Sequence, residues 1–167
     1  MFPIGLSEEA AALLDGLRRR GLKLVAAESC TGGLITALLT EIAGSSDVVE
    51  RGFVTYSNAA KSQLLGVPEA MLAEHGAVSE PVARAMAQGA LANSHADVAV
   101  AVTGVAGPGG GSPAKPVGLV HIAVVRKGGA VLHQELRFGD IGRGPVRLAS
   151  VEVALQLVAR AVAVSAP

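Results

Sequence analysis

Residues 22–43, LKLVAAESCTGGLITALLTEIA, decide the fold. The apolar run Leu22–Ala27 predicts a buried strand, and Leu34–Ala43 has helical spacing without an internal breaker. The turn between them exposes Ser29 and Cys30, and its two glycines let a ligand approach the backbone closely. Because a helix N-terminus offers unpaired N–H groups and partial positive charge, this turn is a candidate for a nucleophile beside an oxyanion or phosphate site. A plain helix cap explains the same residues.

Strands and helices continue to alternate along the rest of the chain. The expected strands are 23–27, 52–57, 97–103, 117–126 and 130–138. The expected helices are 7–20, 34–42, 58–65, 68–75, 79–95 and 146–164. Alternation predicts a layered α/β/α sandwich with a largely parallel sheet, and a hairpin signal at 127–129 adds antiparallel strands, so the sheet should be mixed. We expect one domain over residues 1–167.

Three polar, glycine-bearing segments each follow a predicted strand. These are the AESCTGG turn, Tyr56-Ser57-Asn58 and Thr103-Gly104. In open α/β sheets, binding sites form beyond the carboxyl ends of the strands. We therefore expect the three segments to converge on one edge of the sheet.

Composition excludes several classes of protein. The formal net charge is zero and no basic stripe is present, which argues against a nucleic-acid partner. A single cysteine allows no intramolecular disulfide and no zinc site of the cysteine type. No apolar stretch reaches the roughly 20 residues that span a bilayer, and the start, MFPIGLSEEA, lacks the features of a signal peptide. We expect a cytoplasmic protein that does not bind membranes.

Ser29 is the candidate nucleophile, and a serine hydroxyl needs a base. None of the four histidines lies in a strand-end turn. Lys61 follows Ser57-Asn58 by one helical turn and has apolar neighbours, so it could lose its proton and act as that base. An exposed helix lysine is the alternative interpretation.

The residues alone do not decide the roles of two further side chains, Tyr56 and Cys30. Tyr56 could pass a proton or orient Lys61, or it could be a strand aromatic with its hydroxyl at the rim. Cys30 could be the nucleophile if the helix N-terminus lowers its pKa, or it could be a buried, inert thiol.

The loop Gly104–Gly111, GVAGPGGG, is a candidate phosphate-binding loop. It is not a Walker A loop, because no Gly-Lys-Ser/Thr follows at the required spacing. Backbone N–H groups in glycine loops do bind anions, whereas a mobile surface loop has the same composition.

Four separated motifs resemble the CinA C-terminal domain family. They are AAESCTGG (26–33), ERGFVTYSNAAKSQLLGV (50–67), HGAVSEPVARAMAQGA (75–90) and TGVAGPGGGSPAKPVG (103–118). The resemblance is strongest to stand-alone members that hydrolyse the amide of nicotinamide mononucleotide to nicotinate mononucleotide and ammonia. It implies a serine amidase with a lysine base, in which Ser29 is the nucleophile, Lys61 the base and Tyr56 the assisting tyrosine. It implies no metal or organic cofactor and a homodimer or higher homo-oligomer.

The family pattern Gly-Asp-Arg, then Val-Arg, is altered here, because residues 139–147 are GDIGRGPVR. Either Arg143 or Arg147 should contact a substrate phosphate. The strand-end segments, the glycine loop and the resemblance together give the expected substrate-binding residues: Thr31, Gly32, Gly33, Asn58, Thr103, Gly104, Gly107, Arg143 and Arg147. The mechanism places the oxyanion on backbone N–H groups of Thr31–Gly33. Two alternatives are a non-catalytic nucleotide-binding regulator, linked to competence or DNA damage as the family's name suggests, and a Cys30 thiol hydrolase.

Overall fold

One five-stranded sheet organises the chain in the computed structural model, which describes residues 1–163. The strands are β1 (Leu24–Glu28), β2 (Val49–Val54), β3 (Val98–Gly104), β4 (Leu119–Arg126) and β5 (Val131–Arg137). The helices are α1 (Ile4–Arg19), α2 (Leu34–Glu41), α3 (Asn58–Leu65), α4 (Glu69–His75), α5 (Glu80–Ala92) and α6 (Arg143–Ala163), with a 3₁₀ turn at Ser45–Asp47.

The strand order is β2-β1-β3-β4-β5. Strand β1 pairs in parallel with β2 and β3, whereas β4 is antiparallel to both β3 and β5. Four strands therefore run in one direction and β4 runs against them. The predicted α/β fold with a mixed, largely parallel sheet is confirmed.

Alternate residues of the central strands feed two separate hydrophobic cores. On β3, Val98, Val100 and Val102 pack with α1, α2 and α6. Ala99 and Ala101 point the other way and pack with α3, α4 and α5. Because successive strand side chains alternate between faces, these small residues let helices lie close to both sides of the sheet.

Several predicted boundaries shift by a few residues. Strand β2 ends at Val54 because its parallel register with β1 stops where Val54 lies opposite Glu28, so Tyr56 and Ser57 lie beyond the strand. Helix α5 ends at Ala92, before the expected residue 95. Helix α6 begins at Arg143 instead of 146, and the expected end at 164 lies outside the described residues.

Glu28, the last residue of β1, binds the start of α2. Its side chain is fully buried. One carboxylate oxygen accepts the N–H groups of Gly33 and Ile35 at 3.1 and 3.0 Å. The other accepts the N–H and the hydroxyl of Thr36 at 2.9 and 2.8 Å. Charge-assisted hydrogen bonds are strong, and a carboxylate at a helix N-terminus is further stabilised by the helix dipole, so Glu28 fixes the geometry of the turn between β1 and α2.

Gly89 sets the distance between α5 and α3. A Cβ there would overlap the carbonyl oxygen of Leu65, at the end of α3. We expect Gly89→Ala to destabilise the fold by about 1–3 kcal/mol through overpacking, although alanine is the better helix former. Gly16→Ala in α1 is the matched control, since its Cβ meets only the end of Arg20 at 3.7 Å, and it should stabilise by about 0.5–1 kcal/mol. Urea unfolding measures both; equal effects would contradict the packing explanation.

We expect Glu28→Gln to lower the free energy of unfolding by about 2–4 kcal/mol, because hydrogen bonds to a charged group are worth about 1.5–3 kcal/mol each. Whichever way the amide turns, its NH₂ faces a backbone N–H that needs an acceptor. The control is Glu152→Gln, at an exposed position of α6. Urea unfolding provides the measurement, and a change below about 0.5 kcal/mol in Glu28→Gln would show that the cap is dispensable.

Candidate functional site

The carboxyl ends of β2, β1 and β3 lie side by side at one edge of the sheet. The N–H of Thr55 donates to the Glu28 carbonyl at 2.8 Å, and the N–H of Ser29 donates to the Val102 carbonyl at 3.0 Å. These bonds extend the parallel ladder by one residue beyond β1. Ser29 is therefore fixed against β3, and Thr55, the residue after β2, is fixed against Glu28.

Ser29 and Lys61 meet at this edge. Lys61 Nζ lies 2.9 Å from Ser29 Oγ and donates to the Thr55 carbonyl at 2.8 Å. Lys61 is 1% exposed, and no carboxylate among residues 1–163 pairs with it. A neutral amine fits both contacts, because its lone pair can accept the Ser29 hydroxyl while an N–H donates to Thr55.

Burial lowers the pKa of Lys61 from its ordinary value of 10.5. One carbonyl and one hydroxyl replace only part of the hydration that a buried ammonium group loses, so the neutral form of Lys61 is favoured. The interpretation of Lys61 as an exposed helix lysine is wrong.

The start of α3 carries Lys61 to the edge of the sheet. Ser57 caps the helix, its Oγ accepting the N–H of Ala60 at 3.0 Å. Lys61 follows one turn later, on the side that packs toward the sheet, and Gly66 ends the helix in a left-handed conformation. A capped helix that starts directly beyond β2 therefore delivers the amine to Ser29.

Cys30 has the properties of a core residue. Its side chain is buried with the aliphatic residues of the α1, α2 and α6 face. Burial raises its pKa to about 12. Of the two alternatives for Cys30, the buried thiol is confirmed, and a pKa lowered by the helix N-terminus is wrong, because desolvation exceeds every favourable contact that the thiolate receives.

A cavity of about 200 Å³ opens beside Ser29. Its lining combines polar groups with small apolar side chains: Ser29, Cys30, Tyr56, Lys61, Ala77, Val78, Thr103, Gly104, Ala106 and Arg143. Thr103 is buried, and its hydroxyl donates to the Ala77 carbonyl at 2.9 Å. The structure thus brings five predicted site residues together with Ser29, and none of the four histidines is among them.

The N-terminus of α2 is not free for an anion. The Glu28 carboxylate holds the Gly33 N–H at 3.1 Å, and the Gly32 N–H donates to the Ser29 carbonyl at 3.0 Å. The expectation that Gly32 and Gly33 donate to an oxyanion is therefore wrong. Neither glycine lines the cavity.

Thr31 keeps a free backbone donor in this turn. Neither its N–H nor the Cys30 N–H has an acceptor within the described part of the chain. The Thr31 side chain is fully buried, and its hydroxyl has no partner among residues 1–163. Thr31 is fully buried and does not line the cavity, so none of the three predicted oxyanion donors, Thr31, Gly32 and Gly33, faces a ligand beside Ser29.

Arg143 and Arg147 have different positions. Arg143, at the start of α6, lines the cavity and donates to the Gly107 carbonyl at 2.8 Å and to Tyr56 Oη at 2.9 Å. Arg147 donates to the Cys30 and Thr31 carbonyls at 3.1 and 2.8 Å and does not line the cavity. Of the two, only Arg143 is placed to contact a ligand in this cavity.

Three other predicted residues have contacts that the sequence did not indicate. Tyr56 is 61% exposed, and its hydroxyl contacts Arg143 and not Lys61. Gly107 uses its carbonyl to accept from Arg143 and does not line the cavity. Asn58 lies in a separate surface depression between α3 and α4, so its expected place beside Ser29 is wrong.

The sequence did not identify the residues that support the site or those that form the apolar side of its cavity. Glu28 caps α2, Thr55 binds Lys61, and Ala77, Val78 and Ala106 line the cavity. An acidic residue that ends a buried strand directly before a helix was a usable signal for Glu28. No comparable signal marks the apolar wall, because small hydrophobic residues occur throughout this chain.

Neither a metal centre nor a membrane span is formed by the described residues. Within 1–163, no group of three or more His, Cys, Asp or Glu side chains could hold a metal ion. No helix in the same range is long and apolar enough to cross a bilayer.

Known proteins are similar to this chain over most of its length. The profile of the CinA C-terminal domain matches residues 6–162. A CinA-like protein of Syntrophus aciditrophicus is 53% identical over 163 residues, which cover 96% of this chain and 38% of that protein. The chain spans about a third of the length of the CinA-like relatives that it matches.

Solved structures give the same result. The crystal structure of the competence/damage inducible protein CihA from Agrobacterium tumefaciens aligns with a TM-score of 0.95 and 55% identity, covering 96% of this chain and 98% of that one. A CinA superfamily protein from Escherichia coli aligns with a TM-score of 0.88 and 32% identity, covering 96% and 93% of the two chains. The chain therefore belongs to the CinA family, of which it contains the C-terminal domain.

Proposed function

We propose that this protein hydrolyses the carboxamide of nicotinamide mononucleotide to nicotinate mononucleotide and ammonia. The observation that carries the proposal is the 2.9 Å contact between Lys61 Nζ and Ser29 Oγ in a buried position without a carboxylate. A serine is a weak nucleophile at neutral pH and needs a base, and a desolvated lysine supplies one. The substrate is assigned from the motifs shared with the nucleotide amidases of the family.

The proton moves along the contacts already formed. Neutral Lys61 takes the Ser29 proton as Oγ attacks the carboxamide carbon, and the negative charge collects on the carboxamide oxygen. The Lys61 ammonium then protonates the leaving amine, which departs as ammonia when the C–N bond breaks. Lys61 next deprotonates a water molecule that attacks the ester carbon, and the proton returns to Ser29 as nicotinate mononucleotide leaves.

Two parts of the cavity suit this substrate. Ala77, Val78 and Ala106 form an apolar side against which a pyridinium ring can pack. A volume of about 200 Å³ is below the ~300–1,000 Å³ typical of small-molecule pockets, so it suits the ring more than a whole nucleotide. The ribose and phosphate would extend toward the mouth, where Arg143 has no carboxylate partner among the described residues. A guanidinium that binds only neutral groups is available for a phosphate.

The other two functional hypotheses have less support. A Cys30 hydrolase requires a thiolate, and burial with a pKa of about 12 opposes one. The names of the relatives refer to competence and damage and describe no reaction. Ammonia release from nicotinamide mononucleotide separates an amidase from a regulator that only binds nucleotides.

We expect Ser29→Ala to lower turnover of nicotinamide mononucleotide by on the order of 10⁴-fold or more, because the covalent step is lost. Cys30→Ala is the matched control one residue away and should keep most of the activity. Ammonia and nicotinate mononucleotide are measured together, with circular dichroism to show that both variants fold. An active Ser29→Ala beside an inactive Cys30→Ala would reverse the assignment.

We expect the mononucleotide to exceed nicotinamide riboside by at least about 10²-fold in kcat/KM, since a remote phosphate can orient the amide. Arg143→Ala should shrink that preference and leave the riboside rate nearly unchanged. Arg137→Ala, an exposed arginine paired only with Glu135, is the control for the loss of one positive charge. Equal kcat/KM for the two substrates in the unmodified protein would refute the phosphate assignment to Arg143.

A further inference from the structure

The segment that joins α4 to α5, residues 75–79, forms part of the cavity beside Ser29. Ala77 and Val78 line the cavity, on the side where the pyridinium ring is proposed to pack. No helix or strand includes these two residues. Gly76 turns the chain out of α4 with a φ of 73°, which glycine adopts without strain. The position of the apolar side of the cavity therefore depends on what holds this short segment.

Three consecutive carbonyl groups of the segment each accept a hydrogen bond from a side chain. Their donors are, in chain order, the Lys115 ammonium on His75, the Ser79 hydroxyl on Gly76 at 2.9 Å and the Thr103 hydroxyl on Ala77 at 2.9 Å. Ser79 belongs to the segment itself, whereas Thr103 lies on β3 and Lys115 on the loop before β4. The segment is therefore bound to two other parts of the chain, and one of these contacts is made by a cation.

The backbone of Lys115 is itself fixed. Its N–H donates to Ser112 Oγ at 3.1 Å, and its carbonyl accepts the Ser112 N–H at 2.9 Å. The side chain is half-buried, and no carboxylate among residues 1–163 pairs with it. With a fixed backbone and no competing anion in the described chain, the ammonium group is free to bind the His75 carbonyl.

Gly76 leaves the space for this ammonium group. A Cβ at position 76 would lie 2.7 Å from Lys115 Nζ, which is closer than a side-chain carbon normally approaches another atom. Lys115 therefore packs directly against the point where the chain leaves α4 and turns toward Ala77. A charged donor binds a carbonyl more strongly than a neutral one, so this contact is the strongest of the three that hold the segment.

We propose that Lys115 is a positioning residue that keeps Ala77 and Val78 in place as the side of the cavity on which the pyridinium ring packs. Lys115 does not line the cavity, so it acts through the segment and not on the substrate. The inference rests on the proposed function, since it concerns the binding of the same substrate. Lys61 is held by Ser29 and Thr55 and not by this segment, so loss of Lys115 should weaken binding and leave the reacting pair unchanged.

The test compares Lys115→Met with Lys127→Met, the control, which removes one positive charge at an exposed position between β4 and β5. We expect Lys115→Met to raise KM about tenfold for the mononucleotide and the riboside alike, with kcat within about threefold, because both substrates contain the ring. Calorimetry with the product, nicotinate mononucleotide, measures the affinity without turnover and should show the same loss. Lys115→Arg should recover most of the affinity, since a guanidinium also donates to a carbonyl.

A second readout uses a reagent without a ring. Methanesulfonyl fluoride sulfonylates an activated serine: the Oγ–S bond forms, the S–F bond breaks with loss of fluoride, and Lys61 takes the proton. This small reagent does not need the apolar side of the cavity, so labelling of Ser29, followed by mass spectrometry, should keep its rate within about twofold in Lys115→Met. Thermal unfolding shows whether each variant is folded at the assay temperature, and Lys115→Ala carries the comparison if the methionine variant is not.

Each outcome decides the inference. A KM and a product affinity that change less than about threefold in a folded Lys115 variant would overturn it. A loss confined to the mononucleotide would also overturn it, because that result assigns Lys115 to the phosphate. The same holds if sulfonylation slows as much as kcat/KM falls, since the variant would then act on Ser29 and Lys61. If the unmodified protein is labelled at Ser29 but releases no ammonia from either substrate, the proposed function itself fails and the inference falls with it.

Discussion

The desolvated amine of Lys61 is the constraint on which the site depends. An ammonium group in this position would have a backbone carbonyl and a hydroxyl for neighbours and no anionic partner among residues 1–163, so burial lowers its pKa. Between that lowered pKa and 10.5, the unfolded chain binds a proton that the native protein does not. The native state is therefore stabilised as pH rises through this window, and at lower pH the burial of Lys61 is a fixed cost.

The surrounding elements oppose that cost by holding the pair in place. The Ser29 N–H is bonded to β3, the carbonyl of the preceding residue, Glu28, is bonded to Thr55, and α3 packs against α5 at Gly89 without room for a methyl group. Glu28 secures the start of α2 beneath the turn, and Arg147 secures the carbonyls of the turn from α6. A catalytic pair is most effective when its own positions and those of its donors are fixed before the substrate arrives.

The anion-binding groups differ from those that a strand–turn–glycine–helix motif usually provides. The Glu28 carboxylate already binds the positive end of α2. The dipole of this helix therefore stabilises the fold and is not free to bind a ligand. The positive charge on the cavity lining comes instead from Arg143. Its guanidinium donates to the Gly107 carbonyl and to the Tyr56 hydroxyl. In this arrangement the Tyr56 hydroxyl contacts an arginine, and the proposed proton transfer involves only Ser29 and Lys61.

The sequence predicted those features of the structure that are determined by residues close together in the chain. The strand–turn–helix around Ser29 and the helix Asn58–Leu65 follow from apolar spacing, a cap residue and a closing glycine. The roles of Glu28, Arg143 and Arg147 did not follow, because each depends on which backbone groups remain free after folding. Asn58 was misplaced for a related reason: a residue just beyond a strand can turn toward either side of the sheet edge.

Direct titration of the Lys61 amine tests the central claim. Nitrogen-15 labelling of lysine allows the four side-chain amines, Lys23, Lys61, Lys115 and Lys127, to be followed by NMR as pH rises, with Lys61→Arg assigning the signal. The account predicts that Lys61 loses its proton well below 10.5, because its ammonium form is desolvated and unpaired. A Lys61 amine that stays protonated up to pH 10.5 would contradict it, since a lysine charged at neutral pH cannot accept the proton of Ser29.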